Sequence, residues 1–146
     1  MSRRLYDSRI ESWRTAMSQK LVYESTRFFS IFGYAMSHGV LLLRSSKSNE
    51  TPTTRVDIMF NDVRAMEIRT WFRGIRIEEV DATHLDGQNS KPAEMIEPGN
   101  KVYALTNSGW RGFIVGGIVL FKEDEGDLFG PSDLVESPPV KRWTVG

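Results

Sequence analysis

His38 and His84 are the only imidazoles among the 146 residues, and cysteine is absent. Histidine metal sites need clustered ligands at spacings such as HxxxH. These two lie far apart in the chain, each in turn-like sequence, so no metal site is expected. Without cysteine there is no disulfide, thiolate site or thiol nucleophile. Ser37-His38-Gly39 sets a hydroxyl beside an imidazole. Chain neighbours on a strand or turn do not face each other, the G-x-S-x-G elbow is missing, and Gly39 reads as a turn residue. Carboxylates gather at Glu78-Glu79-Asp81 and at Glu123-Asp124-Glu125-Asp127. The second group offers oxygen ligands but lacks the ligand order and glycine of a calcium loop, so it reads as a solvated loop. Gly116-Gly117 belongs to no phosphate-cradling motif. The chain therefore reads as non-catalytic rather than as an enzyme, with no catalytic residue, metal or cofactor expected.

The segment from Arg64 to Arg76 is richer in groups that bind. Arg64, Arg69, Arg73 and Arg76 surround Trp71 and Phe72, and Trp110-Arg111 follows the turn signal Asn107-Ser108-Gly109. Arginine and the large aromatics are enriched at interface hot spots. The expected binding residues are Arg64, Arg69, Trp71, Arg73, Arg76, Trp110 and Arg111. The competing account is an exposed sheet face on which arginines pair across strands with Glu67, Glu78 and Glu79. Base stacking with phosphate contact is a further use of such residues. Nineteen basic and nineteen acidic side chains give zero net charge, which supplies no overall field toward nucleic acid and argues against that use.

These residues need a scaffold, and the periodicities supply one. Tyr6, Ile10, Trp13, Met17 and Leu21 form one apolar stripe, which predicts an amphipathic helix over 7–21, with Ser8 and Glu11 as its capping box. The grammar then changes to strands and turns over a β-rich region, 28–122. Residues 28–36 are aromatic-rich, and the run Val40-Leu41-Leu42-Leu43 fits a strand covered on both faces. Val56, Ile58 and Phe60 alternate with Arg55, Asp57 and Met59. Asn61-Asp62 is predicted as a hairpin turn into a strand over 63–70, which Trp71-Phe72-Arg73-Gly74 breaks. Another strand starts at Ile75. Residues 81–100 form the longest loop, with a short helical turn near 93–96. Strand character returns at 101–106. The glycines within 110–122 mark a bulge or bend. An extended tail spans 137–146 and contains Trp143.

The expected fold is one domain over 1–146 and mainly β. Its centre is an antiparallel curled sheet or partly open barrel of about seven strands, with the helix packed on it; a two-layer α+β sheet is the alternative. The hydrophobic fraction, 40%, suits a packed core. No apolar run reaches spanning length and no signal-peptide stretch follows the N-terminus, so the protein is expected to be cytoplasmic, without a membrane partner. The pattern Phe60-x-x-Val63-x-x-Met66-x-Ile68 is similar to strand pairs in small bacterial β-rich immunity-type proteins, over under a tenth of the chain. The leading functional expectation is a non-catalytic module that binds a protein partner. A small-molecule-binding barrel or enzyme and a single-stranded nucleic-acid binder are the alternatives. A homo-oligomer formed by sheet extension is compatible with exposed edge strands.

Overall fold

The computed structural model describes residues 19–48 and 51–134. The helix expected over 7–21 lies outside them as far as residue 18, and so does the tail over 137–146. Lys20 and Leu21, expected to close that helix, instead open a strand.

Eight strands form among the described residues: β1 (Lys20–Ala35), β2 (Val40–Ser45), β3 (Arg55–Phe60), β4 (Ala65–Glu67), β5 (Trp71–Val80), β6 (Lys101–Thr106), β7 (Arg111–Gly116) and β8 (Val119–Asp124). They make one antiparallel sheet in the order β4-β7-β6-β5-β1-β2-β3-β8. The count rises to eight partly because the apolar run 110–122 splits at Gly117-Ile118.

The hairpin expected at Asn61-Asp62 does not form. β3 pairs with β2 and β8, whereas β4 pairs with β7. Asp62 takes φ +48°, and the chain turns a corner there instead of reversing. A second corner, at Gly117-Ile118, is hydrogen-bonded to the first. The Gly117 N–H donates to Asn61 O (2.8 Å) and the Arg64 N–H to Val115 O (2.7 Å). The Asn61 side-chain Oδ1 accepts from the Ile118 N–H at 2.7 Å. A hairpin would have left these backbone groups to be satisfied elsewhere.

One face of the sheet builds the main core. Phe29, Leu41, Leu43, Ile58, Phe60, Phe72, Ile77, Leu105 and Ile114 belong to a single buried cluster. Each such side chain contributes about 1.5–3 kcal/mol by leaving water. The opposite face carries two satellites. Val80, Val102, Phe113 and Val115 pack with Leu85 from the 81–100 loop, which holds 3₁₀ turns at Ala82–Leu85 and Pro92–Met95. Val40, Leu42 and Met59 pack with Phe32, Ala35 and Leu134.

Beside this second satellite lies a buried charge network. Arg55, Asp57 and Met59 point away from the main core, as alternation predicts, yet all are buried. The segment following β8 folds over them. Arg44 Nη1 donates to Leu128 O (2.6 Å) and Gly130 O (2.7 Å). Arg55 reaches the carbonyls of Asp127 (2.8 Å) and Pro131 (3.1 Å). A Cβ on Gly126 would run into the Arg55 guanidinium, so only glycine lets the chain pass so close. Two arginines on β2 and β3 thus use main-chain carbonyls to hold residues 127–131 on the sheet.

Candidate functional site

The candidate surface is built where β1 and β5 pair beside the β6–β7 turn. Gly74 has φ +79°, a conformation that glycine adopts without a Cβ penalty. Across it, Phe72, Ile75 and Ile77 all turn into the core while Trp71 and Arg73 remain exposed. β1 carries a register shift between Ser25 and Phe28, after which Phe28 sits opposite Arg73 and Phe29 opposite Phe72. The result is two stacked aromatic pairs on the same two strands. Phe29 and Phe72 stack inside, with centroids 6.2 Å apart. Phe28 and Trp71 stack outside, 5.9 Å apart and inclined by 29°. Trp71 is 64% exposed and Phe28 43%, a large apolar area to leave in water. Arg73 lies over the Phe28 ring, 5.9 Å from its centroid.

Trp110 stands behind this pair. Its ring meets Phe72 edge-on at 5.1 Å. Asn107 positions it: Oδ1 accepts from the N–H groups of Gly109 (2.7 Å) and Trp110 (3.1 Å), while Nδ2 donates to Arg73 O (3.3 Å) and Gly74 O (3.2 Å). One amide side chain therefore ties the β6–β7 turn to β5. Between them opens a cleft of about 530 Å³, lined among others by Ile68, Arg69, Trp71, Arg73, Ser108 and Trp110, and no residue lining it is acidic.

The expected binding residues divide among four places. Arg69, Trp71, Arg73 and Trp110 come together around this cleft. Arg64 lies elsewhere, paired with Asp62 (2.9 Å) and Glu97 (3.3 Å). Its hydrogen bond, followed by that of Asn100, holds the Asp62 carboxyl below its ordinary range. Arg76 is engaged by Glu78 (3.1 Å) and by Glu24, and the Glu78 bond raises its pKa further. Arg111 lines a second cleft, of about 320 Å³, with Glu67, Glu78 and His84 at its polar rim and Val102 and Phe113 in its floor. Phe28 and Asn107 are site residues that the sequence reasoning missed. Phe28 had a readable signal, since adjacent phenylalanines on a strand must point to opposite faces.

His38 and His84 are exposed, and His84 Nε2 lies 3.3 Å from Gln19 Nε2. Among the described residues no three His, Cys, Asp or Glu side chains gather as metal ligands. Three of the carboxylates in the 123–127 group meet protein donors: Glu123 accepts from Thr54 (2.6 Å), Asp124 pairs with Arg55 (2.9 Å) and Asp127 with Lys47 (3.3 Å). For Asp124, burial works toward a raised pKa, but the Arg55 and Gly126 hydrogen bonds prevail and lower it. Tyr103 is buried, and its hydroxyl donates to Gly117 O at 2.7 Å. Burial first, and the nearby Glu79 charge second, push its phenol up to about 12.

No helix among the described residues is long and apolar enough to cross a membrane. Compared with protein-family models, curated proteins and solved structures, the chain has no match.

Proposed function

We propose that this chain is a non-catalytic protein-binding module built on a curled sheet, a partly open barrel. The curl is supported by ring contacts between strands that are not neighbours in the sheet: Phe60 on β3 meets Tyr103 on β6 at 5.4 Å, and Tyr23 on β1 stacks on Phe121 of β8 at 5.0 Å. The observation that carries the functional reading is the exposed Phe28–Trp71 stack beside a cleft. Tryptophan is the residue most enriched among interface hot spots, and such anchors work by filling or flanking a pocket from which water is expelled. Here the buried Phe29–Phe72 pair on the same two strands gives the exposed pair a rigid base. That limits the side-chain ordering cost of binding.

The test compares tagged wild-type chain with a Phe28→Ala/Trp71→Ala variant as baits in lysate of the source cells. Circular dichroism first establishes that both are folded. The expected result is a protein recovered by the wild type and lost with the variant. Identical recovered sets overturn the reading.

A further inference from the structure

The cations of this protein are not used alike. Arg64, Arg76, Lys101 and Lys122 are surface side chains, and each is held by a carboxylate of its own chain. Arg44 and Arg55 are buried and paired with Asp57 and Asp124. Arg69 and Arg73 are exposed and, like the exposed Lys20, Lys91 and Arg111, have no carboxylate partner among the described residues; of these five, Arg69 and Arg73 are the two that line the cleft beside Trp71. In a chain of zero net charge, two adjacent arginines without a counter-charge mark a local positive field. Their guanidinium forks match carboxylates in bidentate geometry.

Resting on the protein-binding reading above, we propose that the partner supplies an acidic segment with an aromatic or large aliphatic side chain. That side chain enters the cleft between Trp71 and Trp110, and flanking Asp or Glu carboxylates pair with Arg69 and Arg73. Recognition of acidic motifs by arginine clusters is a recurring binding mode. The observations favour a peptide over a nucleic acid. A single-strand binder needs a cationic track and several aromatic faces open to bases. Here the two exposed rings stack on each other, and Arg64 and Arg76, which lie outside the cleft, are already paired.

Fluorescein-labelled peptides test this by anisotropy on the full chain. One is a short run of Asp and Glu around a central Phe; the second replaces every acid by its amide; an oligothymidylate of similar length is the third probe. The acidic peptide is expected to bind the wild type about tenfold or more tightly than the amide peptide, and to weaken as salt is added. Arg69→Gln/Arg73→Gln, two exposed changes that leave the core untouched, is expected to erase that preference. Equal binding of both peptides, unaffected by the double substitution, overturns the acidic partner while leaving a peptide-binding surface at Trp71. No binding of the acidic peptide also overturns it, and the bait comparison then decides separately whether the surface takes a protein. Preferential binding of the oligothymidylate, lost in Trp71→Ala, overturns both readings.

Discussion

Arg44 and Asp57 face each other across β2 and β3 with no solvent contact, Nε to Oδ1 at 2.7 Å and Nη2 to Oδ2 at 3.0 Å. Phe32 stacks on the guanidinium, 3.8 Å from ring centroid to Cζ. Removing one partner leaves a buried charge unpaired, which costs about 3–5 kcal/mol. Arg44→Ala is therefore expected to shift the urea midpoint strongly downward. Arg44→Met combined with Asp57→Leu removes both charges and is expected to recover much of the loss, because the desolvation penalty goes with them. Denaturant titration of the single and double variants checks both.

Acid stability should depend on Asp124. Its folded pKa lies below the ordinary 3.8, so the unfolded chain takes up this proton first. The resulting stabilisation is complete above 3.8 and is lost as pH falls through the lower folded value. Asp124→Asn should reduce stability at neutral pH and flatten the fall of the melting temperature on the acid side. Melting curves of the two proteins across that range test it.

Tyr103 sets the alkaline counterpart. Its phenol is raised from 10.0 to about 12, so its contribution is complete below pH 10.0 and disappears as pH rises through 12. Ultraviolet titration should find a tyrosine that ionises above the ordinary 10.0. Tyr103→Phe should remove that late step. It should also cost about 1–3 kcal/mol at neutral pH, since the Gly117 carbonyl loses its donor.

Trp71 and Phe72 are neighbours with opposite roles. Trp71→Ala removes an exposed stack and is expected to cost less than about 1.5 kcal/mol of stability. Phe72→Ala empties part of the core and should cost about 3–5 kcal/mol. Thermal melts separate them. A large loss in Trp71→Ala would make the exposed stack a structural feature and remove the reason to call it an anchor.

Gly74 links the two. A Cβ at this position would meet nothing nearer than Ser25 O at 3.6 Å, so space does not forbid alanine. The φ of +79° does. Gly74→Ala is expected to cost about 1–2 kcal/mol and to disturb the bend that turns Phe72 inward beside Trp71. Urea titration, and peptide binding at the adjacent cleft, report the two effects.

The sequence by itself determined the class of structure: mainly β, with alternation on β3, continuous burial of β2 and a helical turn within the 81–100 loop. Those are local properties, written in the period of apolar residues and the position of turn formers. It also singled out Arg69, Trp71, Arg73 and Trp110 as candidates for binding, which the structure brings together around one cleft. The tertiary structure decided which strands pair. The alternation around Asn61-Asp62 is the same whether the chain reverses or turns a corner, and only the partners β7 and β8, far along the chain, make it a corner. The burial of Arg44, Arg55 and Asp57 has no local sign, because the segment 127–131 that covers them lies far along the chain. The arginines Arg64 to Arg76 read as one group. Which of them keep a free charge depends on carboxylates such as Glu24 and Glu97, brought to them by non-local pairing. Side-chain alternation is a nearest-neighbour property, whereas burial and ion pairing depend on what the rest of the chain places opposite.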